Sequence, residues 1–235
     1  MNARFLEKIS SYRNSPEAIE TMRIILNEKI KRQMQLISEN SNPWIIPPET
    51  PFREFMLYEA RAAHHYWNTW KQKLGGKVNF PGRNRQSNDP VNTLLNVGYH
   101  FLVQSIKKDA GKIDMPVELG ILHIAQSKKS EPLIYDLMEW LRPLIVDSIV
   151  YTHFSKKKKP VIKIKIYDIP KMILKMKKQL YKKFYHAERS CCLKLSYWIR
   201  LYLLSFRGAV TEKKIATFHF PPLRHDSRCS KKALL

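Results

Sequence analysis

Apolar side chains recur three or four positions apart through much of the chain, a spacing that gathers them on one face of a helix. In residues 16–38 that face is formed by Met22, Ile25, Leu26, Ile30 and Met34. Ser15 and Pro16 come at its start, and serine at the N-cap followed by proline is a common helix beginning. The pattern therefore predicts a helix over residues 16–38.

Three further helices are predicted in the first two thirds of the chain. The second covers residues 52–74, and the fourth covers residues 132–151. The third covers residues 89–109, with Asp89 as its N-cap and Pro90 as its first residue. Aspartate followed by proline is again a typical helix start.

The composition changes after Ser155. Residues 156–159 are four consecutive lysines, and the VIKIKIYDI that comes after them alternates apolar residues with lysine. Such alternation is typical of a short strand or an extended arm. Residues 171–187 and 189–207 then return to helical spacing, the first rich in lysine and the second largely apolar. We expect two more helices here.

These elements predict one mainly α-helical domain over residues 1–235. Residues 1–150 form its core, and residues 151–235 form a basic helical part. The chain has only 7 glycines, which argues against an all-β protein built from many tight turns. A hydrophobic fraction of 44% beside a charged fraction of 26% is typical of a globular domain.

The formal net charge of +22, from 42 Lys and Arg against 20 Asp and Glu, favours polyanionic partners. Nucleic acid comes first and an anionic membrane surface second. Residues 171–187 approach the amphipathic helix that a membrane role requires, although core packing explains the same apolar stripe. No apolar stretch reaches the ~20 residues that cross a bilayer, and no signal peptide is visible. We expect a cytoplasmic protein.

The three cysteines add little to this picture. Cys191 and Cys192 are adjacent, and Cys229 lies far along the chain. The absence of a C-x-x-C pair or a regular spacing argues against a zinc site and against a disulfide framework. A reducing compartment fits this pattern.

Glu59 is an anomaly in the second helix, because it falls within an apolar stripe. Its neighbours on that stripe include Ala62, Ala63, Tyr66 and Trp67. A carboxylate in such a place loses water, so it has to be paired, hydrogen-bonded or bound to a metal. The alternative is that Glu59 reaches solvent or pairs with Arg53 or Arg61.

Asp136 and Glu139 repeat the anomaly in the fourth helix, three positions apart and adjacent on its surface. Like charges at this spacing repel unless a cation lies between them, and Mg²⁺ and Mn²⁺ prefer carboxylate oxygens. The alternative is that the two acids complement the helix dipole and that Arg142 pairs with Glu139.

His123 lies in an apolar segment, where a lone histidine is more often a hydrogen-bonded core residue than a ligand. Together with two acids it completes a nitrogen and oxygen set that suits Mn²⁺ or Mg²⁺. Asn92, Asn96 and Tyr99 share one face of the third helix. They form either a polar packing network or a shell that orients metal ligands.

Four motifs stand in order along the chain: EARAAHHYW from Glu59, FPGRNRQSNDPVNTLLNVGYHFL from Phe80, GILH from Gly120 and PLIYDLMEWLRPLIVD from Pro132. In this succession the chain resembles the CRISPR-associated adaptation integrase, the universal nuclease of spacer acquisition, and its transposon-borne relatives. The resemblance covers residues 12–150. It implies a helical catalytic domain, to which the lysine-rich remainder adds a basic C-terminal arm.

The resemblance also implies a metal site and a reaction. Glu59, His123 and Glu139 would ligate Mg²⁺ or Mn²⁺, with Asp136 as a neighbouring catalytic acid. The family joins a DNA 3′-hydroxyl to a target phosphodiester by transesterification, and many members also cleave DNA. Asn92, Asn96 and Tyr99 would shape the pocket. The residues expected to bind DNA are Arg83, Arg85, Lys128, Lys129, Lys156, Lys157, Lys158 and Lys159.

The chain departs from the family in several places. Members usually begin with a β-rich lobe that supports dimerisation and docking of a small partner protein, whereas this chain starts almost directly in the helical lobe. Val97 stands where an aromatic residue is common, and Trp140 stands where an acid is common. Lys128 and Lys129 replace an arginine-rich loop.

Double-stranded DNA, further copies of the chain and that small partner protein are the expected partners, and no membrane is expected. The alternative function is a non-catalytic, basic DNA-binding remnant of a truncated integrase gene, since any basic face gains affinity by counterion release. The retention of Glu59, His123, Asp136 and Glu139 favours the enzyme.

Overall fold

The computed structural model describes residues 3–39, 43–125, 127, 130–222 and 229. Two strands and a set of helices make up its regular structure. In chain order they are α1 (Ala3–Tyr12), α2 (Pro16–Leu36), α3 (Phe55–Leu74), α4 (Pro90–Gly111), α5 (Pro132–Leu137), α6 (Ser148–Ser155), α7 (Asp168–Leu180), β1 (Lys183–His186), β2 (Cys191–Lys194) and α8 (Leu195–Glu212). The predicted mainly α fold is confirmed.

Helices α2 and α4 begin at the predicted caps. The Ser15 hydroxyl accepts a hydrogen bond from the Ala18 amide at 3.2 Å, and the Asp89 carboxylate accepts from the amides of Val91 and Asn92, each at 3.0 Å. These side chains satisfy amides that have no partner within the helix. A single 3₁₀ turn, Phe52–Glu54, leads into α3.

The fourth predicted helix is not one continuous α-helix. Helix α5 ends at Leu137, and the chain then forms a π-helical segment, Arg142–Asp147, before α6 begins. Pro143 lies within that segment, and a proline removes an amide donor from the ladder of a regular helix. The π-helical segment packs against α2 and α4, beside the cavity described below.

The C-terminal third differs most from the prediction. The expected strand or arm makes one isolated parallel bridge, between Val161 and Val78, and α7 begins soon after it. The helices predicted over residues 171–187 and 189–207 are interrupted by an antiparallel hairpin of β1 and β2. Burial alternates along β1, and the aromatic residues of that strand favour extended backbone.

Helix α1 was not predicted, although its sequence carries the signal. Phe5, Ile9 and Tyr12 are buried, and their spacing places them on one face, which packs against α8. The Tyr12 hydroxyl lies 2.9 Å from the Thr21 hydroxyl and donates to the Lys214 carbonyl at 2.9 Å. The first helix is thereby tied to both α2 and the end of α8.

A disulfide bond joins Cys192 of β2 to Cys229, although the cysteine spacing argued against a disulfide framework. The partners are 37 positions apart, and no spacing rule signals such a bond. Cys191 is free and exposed.

Part of the apolar stripe of α7 belongs to the core, because Met172 and Met176 are 1% and 0% exposed, whereas Leu174 is 53% exposed. Core packing therefore explains most of that stripe. Within the described ranges, we find no helix that is long and apolar enough to cross a membrane.

Candidate active site

A cavity of about 250 Å³ lies between α2, α3, α4 and the π-helical segment. Its walls carry four cationic and two acidic side chains among neutral ones. The lining residues are Lys29, Gln33, Glu59, Ala63, Trp67, Arg83, Arg85, Tyr99, Arg142 and Asp147. A low-dielectric wall with an excess of cations concentrates anions such as phosphates.

Lys29 joins two of the predicted metal ligands at the edge of this cavity. Its ammonium nitrogen lies 2.5 Å from Glu59 Oε1 and 2.6 Å from Glu139 Oε2, and the residue is 4% exposed. Burial lowers the pKa of Lys29, but Glu139 and Glu59 raise it more, so the net direction is upward. The two carboxylates therefore meet at a point that already holds a positive charge.

Glu139 is a buried carboxylate kept ionised by cations. Arg142 contributes a second ion pair at 3.1 Å, the pairing that the sequence offered as the alternative to a metal ion. Burial raises the pKa of Glu139, but Arg142 and Lys29 lower it more, to about 2. Glu59 pairs with Lys29 and not with either arginine of its own segment.

The low pKa of Glu139 predicts a loss of stability in acid. The folded pKa of about 2 lies below the ordinary value of 4.5. The stabilisation is therefore complete above pH ~4.5 and is lost as the pH falls towards ~2. The difference corresponds to about 3 kcal/mol of unfolding free energy.

Urea unfolding of the parent and of Glu139→Gln, between pH 5 and pH 2, checks this expectation. The free energy of the parent should fall more steeply than that of the variant, by about 3 kcal/mol over the window. Parallel curves would show that Glu139 is not the source of the acid sensitivity.

Asp136 holds the segment that carries His123. The Asp136 side chain is fully buried. It accepts hydrogen bonds from the amides of Ile121, Leu122 and His123 at 2.6, 3.2 and 3.0 Å. His123 Nδ1 lies 2.6 Å from Asp136 Oδ1. With Nδ1 bound in this way, Nε2 is the nitrogen left to face Glu139, whose Oε1 is 4.0 Å away.

Asn92 and Asn96 orient an arginine. Arg83 donates to the Asn92 and Asn96 side-chain oxygens, each at 2.8 Å. The Asn96 side-chain nitrogen, Nδ2, donates to the Arg85 backbone carbonyl at 2.9 Å. This network fixes the loop that brings both arginines to the cavity, so the polar face of α4 positions cationic side chains there.

Tyr99 and Asp147 form the opposite wall. The hydroxyls of Tyr99 and Tyr66 donate to the buried Asp147 carboxylate at 2.7 and 3.2 Å. Burial raises the pKa of Asp147, and the two hydroxyl donors offset only part of that rise. The guanidinium groups of Arg83 and Arg142 each lie 5.3 Å from the Tyr99 ring centroid, within the range of a cation–π contact.

The remaining predicted residues lie elsewhere. Trp140 is buried against Tyr202 and Phe220, with ring centroids 5.4 and 5.2 Å away, so it serves the core at a position where the family often has an acid. Residues 156–159 come directly after α6 and are exposed, apart from a half-buried Lys157. Lys128 and Lys129 lie outside the described residues.

The donors at this site suit a hard divalent cation by type, since two carboxylates and an imidazole are oxygen and nitrogen ligands. The Lys29 ammonium shows that the junction of Glu59 and Glu139 takes a positive charge. In the described part of the chain, no three His, Cys, Asp or Glu side chains already stand together as a ligand set. Metal ligation by Glu59, His123 and Glu139 stays a prediction.

Two residues of the site were not foreseen. Lys29 interrupts the apolar face of α2, between Leu26 and Ile30. A charge on an apolar helix face indicates a buried partner, as it does for Glu59. Asp147 closes the last motif, but nothing in its local sequence separates it from an exposed acid. Both became candidates only once the helices had brought them to one cavity.

A sequence profile of the family described as "CRISPR associated protein Cas1" matches residues 3–188. CRISPR-associated endonuclease Cas1 2 of Pyrobaculum aerophilum is 38% identical over 98 residues, 42% of this chain and 31% of that protein. CRISPR-associated endonuclease Cas1 1 of Archaeoglobus fulgidus is 33% identical over 106 residues, 42% of this chain and 30% of that protein. The matches therefore span about a third of each relative's length.

Two solved structures share the fold. A casposase bound to an integration product superposes with a TM-score of 0.75 at 21% identity, covering 91% of this chain and 67% of that one. A CAS1 protein from Thermotoga maritima gives a TM-score of 0.73 at 14% identity, covering 90% and 72%. At these identities the likeness establishes the arrangement of helices and nothing about the chemistry.

Proposed function

Because this chain belongs to the Cas1 family of CRISPR-associated proteins, we propose that it is a divalent-metal-dependent DNA endonuclease and integrase. The observation that carries the proposal is the meeting of Glu59 and Glu139 around one positive charge, beside a cavity lined with arginines. Such a cavity suits a phosphodiester, which is anionic and gains charge on reaction.

In the proposed reaction a DNA 3′-hydroxyl attacks a target phosphodiester. A new phosphorus–oxygen bond forms and the target strand's bond to its own 3′-oxygen breaks. The attacking hydroxyl loses a proton to solvent, and the released 3′-oxygen takes one up to become a 3′-hydroxyl. Replacing the attacking hydroxyl with water gives simple cleavage. Mg²⁺ or Mn²⁺, when bound, supplies activation of the attacking oxygen and neutralisation of developing charge.

The chain's own residues supply ligands, orientation and electrostatics. Glu59, Glu139 and His123 Nε2 would hold the ion. Asp136 acts through His123, because its hydrogen bond to Nδ1 directs Nε2 towards Glu139. A carboxylate that fixes a ligating histidine in this way also raises its basicity. Asp136 is therefore a positioning residue in this proposal.

Arg83, Arg85 and Arg142 would bind the reacting phosphate. Guanidinium groups suit this task because their planar donors match two phosphate oxygens at once. Asn92 and Asn96 hold Arg83 in place, which reduces the side-chain entropy lost on binding. The proposed partners are double-stranded DNA, further copies of this chain and a small adaptation protein such as the Cas2 found in complexes with related proteins.

A gel assay tests this function directly. The purified protein is incubated with supercoiled plasmid and a duplex carrying free 3′-hydroxyls, with Mn²⁺, with Mg²⁺ or with chelator. Metal-dependent nicking or strand joining is expected. DNA binding without strand chemistry under either metal would refute the proposal and favour the non-catalytic DNA-binding remnant.

A further inference from the structure

A groove of about 1100 Å³ runs between α6 and α7. Five lysines line it, from three successive parts of the chain, and its lining contains no aspartate or glutamate. They are Lys156, Lys157, Lys175, Lys178 and Lys182. Two of them belong to the lysine run that the sequence marked as DNA-binding, and the other three extend that run into a concave surface.

Within the part of the chain that the structure describes, the five groove lysines form no direct ion pairs, although Asp168 lies beside the groove, near His153. In the described ranges, none of the five lysines lies within 4.0 Å of a carboxylate, whereas Lys107 and Lys112 elsewhere on the surface are paired. His153 also lines the groove, and its pKa responds to the charges there. Burial lowers its pKa, Lys157 and Lys175 lower it further, and Asp168 offsets only part of that fall. A cationic surface of this kind gains binding energy from a polyanion.

The groove is separate from the candidate active site. Asp147 lines the small cavity, and the next residue, Ser148, lines the groove. The two depressions share no lining residue, so the backbone at the start of α6 separates them. An anion in the groove therefore does not occupy the place of the reacting phosphodiester.

The chemistry of the groove favours nucleic acid over a lipid surface. Met172 and Met176 of α7 are buried, and Leu174 is the one large apolar side chain that is exposed on this helix, among lysines, so α7 has little apolar surface to insert into a membrane. Lys175 and Lys178 lie one turn apart on the exposed side of α7, where their ammonium groups can contact successive phosphates. Lysine acts on phosphates as a point charge without base preference.

We propose that this groove binds the phosphate backbone of a second duplex DNA segment, distinct from the one whose phosphodiester enters the small cavity. The proposal rests on the proposed function, because joining a 3′-hydroxyl to a target strand requires two DNA segments on one protein. The groove would position one segment while the cavity reacts with the other.

The test compares two double variants with the same change in net charge. Lys175→Gln/Lys178→Gln removes two groove cations, and Lys163→Gln/Lys177→Gln removes two exposed cations that do not line it. Binding of a blunt, non-reacting duplex is titrated in chelator over a range of salt concentrations. The slope of log K against log salt should fall by about 1.8 for the groove pair, at ~0.9 per phosphate contact, and by much less for the control pair.

Equal slopes for the two pairs would overturn the proposal. So would unchanged duplex binding by the groove pair combined with weaker binding to phosphatidylserine vesicles, which would assign the groove to a membrane surface. Circular dichroism confirms that both pairs fold. The titration contains no metal and measures binding alone. An inactive parent protein would therefore refute the proposed function, but the comparison of salt slopes would still test the groove.

Discussion

Replacing Glu59 by alanine is expected to reduce the rate of metal-dependent strand cleavage by on the order of 10³-fold, the loss seen when one charge-stabilising group is removed from an active site. Glu59 is a proposed metal ligand whose only ion-pair partner in the described part of the chain is Lys29. Its removal leaves Lys29 paired with Glu139, so the core arrangement should survive. Thermal unfolding should change little compared with the rate.

The measurement is plasmid nicking with Mn²⁺, read together with the melting temperature. Glu59→Gln is a second variant that keeps the size and a hydrogen-bond acceptor but loses the charge, and it should be nearly as inactive. Glu54→Ala removes an acid just before the same helix, away from the cavity, and serves as the matched control. Normal nicking by a folded Glu59→Ala protein would exclude Glu59 as a ligand.

Replacing Lys29 by methionine is expected to destabilise the metal-free protein by about 3–5 kcal/mol, because it leaves carboxylates at a buried junction without their shared cation. Arg142 still contacts Glu139, so Glu59 loses most. For a chain of this size the change corresponds to a drop in melting temperature of roughly 6 to 20 °C. Excess Mg²⁺ or Mn²⁺ should restore part of that loss.

The readout is the rise in melting temperature on adding the ion, compared between variants and independent of activity. Lys29→Met should gain more than the parent protein, because in the parent the ammonium group competes with the ion for the two carboxylates. Lys31→Met, which removes an exposed lysine from the same helix, should behave like the parent. The same gain in all three proteins would mean that no divalent ion binds at this junction.

Local signals predicted α2, α3 and α4 well, and the reason lies in particular residues. Ser15 and Asp89 accept hydrogen bonds from amides two or three positions further along the chain. The capping residue and the helix start that it stabilises therefore lie within one short stretch of sequence. Glu59 was also visible locally, as a charge on an apolar face. The pairing of Glu139 with Arg142 needs only the spacing along one segment.

The rest depended on contacts between distant residues. Lys29 pairs with Glu139, which lies more than a hundred positions further along the chain. Asp136 accepts hydrogen bonds from backbone amides of residues 121–123. The β1–β2 hairpin forms where the spacing of apolar residues predicted helix. The bond between Cys192 and Cys229 joins positions 37 apart, and no local pattern signals it.

The π-helical segment has a consequence for how the chain tolerates changes in length. Residues Arg142–Asp147 hold one more residue per turn than an α-helix would. Deleting a single residue there would restore an α-turn and leave the helix after it in nearly its present orientation, so Val150 and Phe154 would stay in the core and the change would fall on the segment itself. Relatives aligned with a one-residue gap in this stretch are therefore expected to keep the core positions of α6 and to differ in the residues that the segment presents to the cavity.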